Sequence, residues 1–178
     1  ELPMRTNLSS QISLNRVSTR YYKPENTIER SVLTRFEKIP TNIYETVDEG
    51  VSCIADEIIR KVQERQRDGK FCTIATGTGA SLRPLFAELV RRHKEEGVSF
   101  RNVVVFNLYE YYPLTEPNNS SFNQLNELFL KQVDIDPQNV FTLNGTIPQE
   151  GVIDHCHLYE QRIKTYGGID IAVMGIGR

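Results

Sequence analysis

The strongest constraint on the fold is the apolar run Asn102–Leu108 (NVVVFNL), which separates two segments of helical periodicity. Its β-branched residues are consecutive rather than alternating with polar ones, a pattern typical of a strand that is covered on both faces. Because such a strand needs helices above and below it, the run predicts a layered α/β domain.

Strand and helix patterns alternate along most of the chain. Apolar stripes with a period of about 3.6 residues predict helices that begin near Thr46, Leu82, Ser120 and Ile153. Further apolar runs predict strands at Ile39–Tyr44, Lys70–Ala75, Val140–Leu143 and Ile169–Met174. This order implies right-handed βαβ crossovers. The predicted fold is therefore α/β: a three-layer, doubly wound, mostly parallel sheet with helices on both faces (Rossmann-like).

The two ends of the chain differ from its middle. Residues 1–38 are polar and weakly patterned, so we expect an N-terminal arm, with residues 39–178 as the first part of the α/β domain. The last predicted strand runs directly into Gly175-Ile176-Gly177-Arg178. A buried strand that enters a ligand loop is a poor place for a fold to finish, so we expect the fold to be truncated before completion.

Composition and charge exclude several partners. With 21 Lys+Arg against 23 Asp+Glu the formal net charge is −2, and no basic block is present, so we expect no nucleic-acid partner. We also expect no membrane association, because no apolar run reaches about 18 residues and the first residues are too polar for a secretory signal.

The cysteines indicate the compartment. Cys53, Cys72 and Cys156 are odd in number, far apart and set among apolar neighbours, which favours small buried side chains in a reducing, cytoplasmic environment. The string Asp154–His157 does not predict a metal site. His155 and His157 lie two positions apart on a predicted helix, whereas chelation there needs a spacing of about four.

Loops at the carboxyl ends of parallel strands are the usual ligand sites of such sheets. The first of them, Thr76–Ser81, combines glycines with hydroxyl side chains and precedes a helix. Its backbone amides and the helix dipole favour an anion, typically phosphate. The residues expected to bind it are Thr76, Gly77, Thr78, Gly79 and Ser81. The spacing is neither Walker A nor G-x-G-x-x-G, so no nucleotide is indicated, and a tight turn with a hydroxyl helix cap would use the same residues.

Two other loops carry candidate residues. After the central strand, Asn107 and Glu110 can hydrogen-bond sugar hydroxyls, and a partly buried Glu110 can act as a base. The alternative is a loop whose tyrosines pack on a helix while Glu110 is solvated. After the last strand, Gly175 and Gly177 predict either a close backbone approach to a ligand or a plain turn.

Several segments, taken in order, resemble the glucosamine-6-phosphate deaminase family, within the deaminase and 6-phosphogluconolactonase group of sugar-phosphate enzymes. The resemblance runs from about Ile43 to Gly177. The matching segments are Ala75–Ala80, Phe106–Tyr111, Ser120–Phe122, Val133–Ile135, Leu143–Gly145, Tyr159–Asp170 and Met174–Gly177. Of these, Phe106–Tyr111 (FNLYEY) stands where the family reads Phe-Asn-Met/Leu-Asp-Glu-Tyr.

This resemblance implies a deaminase-like hydrolase or isomerase of amino-sugar metabolism that converts glucosamine 6-phosphate into fructose 6-phosphate and ammonia. In the family an Asp moves a proton between C2 and C1, and a His oriented by carboxylates helps to open the sugar ring. The resemblance implies no cofactor and no metal. Because family members are often hexamers, it also implies a homo-oligomer that binds a small-molecule sugar phosphate.

The sequence departs from the family pattern at two places. The proton-shuttling Asp falls on Tyr109, a poor base at neutral pH, which leaves Tyr109 and the neighbouring Glu110 as the candidate catalytic residues. The family's Asp-Gly-His would follow Arg178, so we expect this chain alone to be inactive. The open alternatives are a non-catalytic sugar-phosphate-binding regulatory domain and a related hexose-phosphate isomerase or lactonase.

Overall fold

A computed structural model describes residues 27–28 and 41–175 of the chain. It divides into two units, residues 1–50 and 51–178. The predicted arm, apart from the helical Thr27 and Ile28, lies outside the described residues, as does Gly177. The division into an arm at 1–38 and a domain at 39–178 stays a prediction.

Residues 41–50 of the first unit lead into a helix, which begins at Val47, and do not form a strand. The predicted strand Ile39–Tyr44 is wrong for its described part, because residues 41–44 have no regular structure. The ring of Tyr44 lies against Gly50, where an added Cβ would be 3.1 Å from Tyr44 Cδ2. The amide of Glu49 donates to the Thr46 hydroxyl at 3.1 Å, which caps the helix as its sequence predicts.

Residues 41–175 form four α-helices and four strands. The helices are α1 (Val47–Arg67), α2 (Arg83–Glu96), α3 (Ser121–Leu128) and α4 (Val152–Thr165). The strands are β1 (Cys72–Thr76), β2 (Val103–Asn107), β3 (Val140–Phe141) and β4 (Ile171–Val173). Glycines end α1 and α2 where the sequence places them, since Gly69 and Gly97 have φ of 65° and 72°. None of the helices among the described residues is long and apolar enough to cross a membrane.

The four strands form one parallel sheet in the order β3-β2-β1-β4. The chain moves outward from β1 through β2 to β3, and then returns to the far side of β1 to form β4. Ile74 of β1 pairs with Val105 on one side and Ile171 on the other. Open α/β sheets bind ligands where the strand order reverses, which in this sheet is the carboxyl end between β1 and β4.

Helices cover both faces of the sheet, which confirms the predicted layered fold. Val103 and Val105 of β2 join the core formed with α1, α2 and α3, whereas Val104 and Phe106 point to α4. On the α4 side, the rings of Phe106 and Tyr159 meet edge to face at 5.5 Å between centroids. All residues of β1 and β2 are buried. The consecutive apolar residues therefore reflect strands that are covered on both faces, as the sequence predicts.

The cysteines follow the prediction only in part. Cys72 is buried in β1, and burial raises the pKa of its thiol to about 11. Cys53 is half-buried and Cys156 is exposed, so the expectation that Cys156 is buried is wrong. The physical reason is that α4 contacts the sheet chiefly through Tyr159, Ile163 and the following Tyr166, whereas its first turns carry the exposed Ile153.

Candidate functional site

The loop after β1 lies beside the loop after β4, at the reversal of the strand order. The amide of Gly77 donates to the Val173 carbonyl at 3.4 Å, which extends the pairing of the two strands. A Cβ added to Gly175 would lie 2.7 Å from Ser81 Oγ, so the missing side chain lets the Gly175 backbone lie close to this hydroxyl. The structure thus brings Gly175 together with the predicted phosphate loop.

The loop leads into the N-terminus of α2. A short 3₁₀ turn, Ala80–Leu82, precedes α2, and neither element has a side chain that caps it. Ser81, the middle residue of this turn, is exposed. The amide of Leu82 closes the turn on the Gly79 carbonyl at 2.9 Å, but the hydroxyl cap of the tight-turn explanation is missing. The loop amides before Leu82 and the exposed Ser81 hydroxyl suit an anion.

The two threonines of the loop are used inside the protein. Thr76 is 2% exposed and its hydroxyl donates to the Gly77 carbonyl at 3.1 Å. Thr78 is 5% exposed and its Oγ1 lies 2.9 Å from the hydroxyl of Ser121, at the start of α3. These side chains fix the loop shape, so an anion at this loop would meet backbone amides and Ser81 rather than the threonine hydroxyls.

Tyr109 closes over the loop from the end of β2. Its hydroxyl accepts a hydrogen bond from the Thr78 amide at 3.3 Å and lies 3.4 Å from Thr78 Oγ1. Its ring covers Gly77, where an added Cβ would lie only 2.6 Å from Tyr109 Cε1. The hydrogen bond with the Thr78 side chain is the main reason that the pKa of Tyr109 lies below its usual value, and burial opposes it.

Glu110 binds the N-terminus of α3. Its carboxylate accepts hydrogen bonds from the Ser120 hydroxyl at 2.7 Å, the Ser121 amide at 2.8 Å and the Phe122 amide at 3.1 Å. A further bond comes from the Tyr111 amide at 3.0 Å. Burial works to raise the pKa of Glu110, but these donors together outweigh it and lower the pKa. Glu110 is therefore half-buried, and its carboxylate is bound to the start of α3 rather than free.

Asn107 lies beneath these residues and is 1% exposed. Its Nδ2 donates to the Tyr109 carbonyl at 2.9 Å, which fixes the backbone that presents the tyrosine. Its Oδ1 is buried and has no hydrogen-bond partner among the described residues. Asn107 is thus placed next to the loop, but its side chain faces protein in this conformation.

The sequence does not reveal the support that the site receives from Ser121 and the Asn144–Gly145 turn. Ser121 reads as a helix cap, and its contact with Thr78 spans 43 positions. The Leu114 amide donates to the Gly145 carbonyl at 2.7 Å, and a Cβ on Gly145 would lie 2.2 Å from the Tyr111 carbonyl oxygen. The N-G dipeptide signals only the turn.

Residues 41–175 contain no group of His, Cys, Asp and Glu that could hold a metal ion.

A family model described as glucosamine-6-phosphate isomerases/6-phosphogluconolactonase matches residues 45–178. The chain belongs to this family. That range agrees with the segment over which the sequence motifs resemble the deaminases. These relatives are named deaminases and isomerases, so "deaminase or isomerase" describes the group better than "hydrolase".

The relatives include proteins of very different length. A glucosamine-6-phosphate deaminase-like protein of Bacteroides thetaiotaomicron is 60% identical over 176 residues, which is 98% of this chain and 26% of that protein. Glucosamine-6-phosphate deaminase of Dictyostelium discoideum is 33% identical over 71% of this chain and 51% of its own length. The chain thus spans about half the length of most of the curated relatives considered, and a quarter of the Bacteroides protein.

Solved structures share the fold. A monomeric glucosamine-6-phosphate deaminase superposes with a TM-score of 0.65 at 28% identity, covering 74% of this chain and 53% of that one. The 6-phosphogluconolactonase of Thermotoga maritima gives 0.58 at 20% identity, covering 71% of this chain and 56% of that one, and shows the fold alone. Because the deaminase is described as monomeric, the expected homo-oligomer stays a prediction.

Proposed function

We propose that this chain supplies the sugar-phosphate-binding part of an enzyme that converts glucosamine 6-phosphate into fructose 6-phosphate and ammonia. The observation that carries the proposal is the contact of Tyr109, at the end of β2, with the Thr76–Ser81 loop, which lies at the reversal of the strand order. Family membership supports a sugar phosphate as the ligand. We propose a cytoplasmic location for the enzyme, in keeping with its thiols and charge.

The phosphate would bind where the loop enters α2. The amides of Gly79, Ala80 and Ser81, the Ser81 hydroxyl and the positive end of the α2 dipole all favour an anion there. Gly175, beside Ser81, leaves room for the ligand to lie against backbone. We propose Gly177, two positions after Gly175 in the sequence, and Asn107 as further substrate-binding residues.

The proposed chemistry is enolisation of the open-chain sugar. A base takes the proton from C2, which is acidified by the C1 aldehyde, and a proton is returned at C1 while O1 gains a proton and the C2 amine loses one. The resulting C2 imine is hydrolysed by one water, which releases ammonia and leaves the ketose. Tyr109 is the best candidate for this base, because its phenol lies against the Thr76–Ser81 loop and its pKa is lowered. Glu110, with both oxygens accepting hydrogen bonds, would act by holding α3 and Tyr109 in place.

The test is ammonia release from glucosamine 6-phosphate by a polypeptide extended to the length of the Dictyostelium relative. We expect turnover that falls at least about 100-fold in Tyr109→Phe, the lower end of the contribution of a general base. Tyr111→Phe removes an exposed neighbouring phenol and should leave turnover unchanged. Turnover that is equal in Tyr109→Phe and the unaltered protein would exclude Tyr109 as the base.

A second function, sugar-phosphate sensing without chemistry, is favoured by the same two residues. A tyrosine replaces the family's acid, and the carboxylate beside it is occupied by α3. A sensor would bind glucosamine 6-phosphate without releasing ammonia, and Tyr109→Asp would then create activity. A panel of hexose phosphates and phosphogluconolactone separates both functions from a related isomerase or lactonase.

A further inference from the structure

The side chain of Tyr109 occupies part of the Thr76–Ser81 loop, the predicted anion site. The Thr78 amide points to the tyrosine hydroxyl at 3.3 Å, although an amide of this loop is a natural donor to a phosphate oxygen. The tyrosine ring lies over Gly77 in space that only a glycine leaves open. We propose that Tyr109 is a specificity-determining residue, which closes the loop to uncharged ligands and is displaced by a phosphate dianion. This inference rests on the proposed sugar-phosphate function.

The contact is weak enough to be replaced by an anion. A phenol oxygen is a neutral acceptor, and both of its distances to Thr78 are at the long end for hydrogen bonds. A phosphate oxygen accepts charge-assisted bonds that are about twice as strong as neutral ones. A sugar hydroxyl has no such advantage over the phenol. The loop should therefore open to phosphate and remain closed to an unphosphorylated sugar.

The backbone around Tyr109 is fixed while its side chain is not. Asn107 Nδ2 holds the Tyr109 carbonyl, and the adjacent Glu110 is bound to α3. The side chain of Tyr109 is 42% exposed and belongs to neither apolar core. Rotation of this one side chain would uncover Gly77 and the Thr78 amide without any movement of the sheet.

Titration of the ¹⁵N-labelled chain tests the inference, with the Thr78 amide signal as the reporter. The probes are inorganic phosphate, glucosamine 6-phosphate and glucosamine. Tyr109→Phe keeps the ring but removes the hydroxyl, so we expect both phosphates to bind roughly three- to ten-fold more tightly, the size of one neutral hydrogen bond. Tyr111→Phe is the matched control and should bind as the unaltered chain does. Circular dichroism checks that every variant is folded.

The possible outcomes are distinct. Equal or weaker phosphate binding by Tyr109→Phe overturns the closing role while leaving sugar-phosphate binding intact. Binding of glucosamine by the unaltered chain also overturns it. If no variant binds either phosphate, the proposed function itself fails, and the inference fails with it. Tighter binding by Tyr109→Phe, with Tyr111→Phe unchanged, supports both.

Discussion

At the scale of single residues, Tyr109 decides how the loop behaves. The sequence identifies it only as a departure from the family's acid. The structure adds that its hydroxyl accepts a hydrogen bond from the Thr78 amide. Its ring occupies the space that a side chain at Gly77 would fill. Such a contact between positions 31 apart depends on a rotamer, which local sequence patterns do not encode. The same is true of Glu110, whose role depends on where α3 begins.

The lowered pKa of Tyr109 gives a pH prediction. Donors at Thr78 favour the phenolate, while the charge of Glu110 opposes it. Deprotonation makes the oxygen a stronger acceptor for the Thr78 amide and adds a negative charge that repels phosphate. We therefore expect phosphate affinity to fall as the pH rises toward about 10, the ordinary tyrosine value, beginning below it. Titrations at a series of pH values measure this effect.

Comparison of Tyr109→Phe with Tyr111→Phe distinguishes the titration of Tyr109 from that of other groups. In Tyr109→Phe the alkaline loss of phosphate affinity should disappear, whereas Tyr111→Phe should retain it. An identical loss in Tyr109→Phe and the unaltered chain would mean that another group titrates. Phosphate is a dianion over most of this range, so its own ionisation does not produce the fall.

At the scale of elements, the order of strands and helices follows from the sequence, but their arrangement follows only in part. The consecutive apolar residues of β2 predict its coverage on both faces, because periodicity reports burial directly. The order β3-β2-β1-β4 is not contained in any local pattern. Strand lengths are also shorter than predicted: Val140–Leu143 pairs only at Val140 and Phe141, where β2 offers partners.

Helix α3 depends on a carboxylate outside it. Glu110 satisfies the amides of Ser121 and Phe122, which no preceding helical turn can serve. Glu110→Gln replaces a charged acceptor by a neutral one, so we expect the free energy of unfolding to fall by about 1–3 kcal/mol. Urea unfolding measures the change, and hydrogen exchange at both amides should accelerate.

Glu116 offers a control for this prediction. It lies exposed in the same loop, so Glu116→Gln removes the same charge without removing the cap. We expect a change within about 0.5 kcal/mol for that variant. Equal effects of the two substitutions would show that net charge, rather than the binding of α3, is responsible.

At the scale of the whole molecule, carboxylates join separate elements to one another. Asp170, before β4, accepts hydrogen bonds from Arg65 of α1 and from the Thr73 amide of β1 at 3.0 Å. Asp134 accepts from the Phe100 amide at 2.7 Å, ahead of β2. Glu88 binds Arg91 and Arg92 within α2, and Arg92 also pairs with Asp56 of α1 at 3.0 Å. These carboxylates thus stabilise the sheet near the amino ends of its strands, far from the candidate site.

These carboxylate contacts make the stability of the fold sensitive to acid. Burial works against ionisation of Asp170, but the hydrogen bond from Arg65 and the Thr73 amide outweigh it and lower its pKa. The pKa of Glu88 is lowered to about 2, first by hydrogen bonds from Arg91 and Arg92. Carboxyl groups with lowered pKa values contribute stability above their unfolded values of about 4, and this contribution is lost as the pH falls through the folded values.

We therefore expect the free energy of unfolding, measured with urea, to fall steadily as the pH drops from about 5 to about 2. Asp170→Asn removes one of these contacts, so it should lower stability by about 1–3 kcal/mol near pH 7 and flatten the acid dependence. Asp68→Asn, in the exposed turn after α1, should change neither. An acid dependence of the same slope in Asp170→Asn and the unaltered chain would assign the proton uptake to other carboxylates. A smaller slope in Asp170→Asn alone would place it at the junction of α1, β1 and β4.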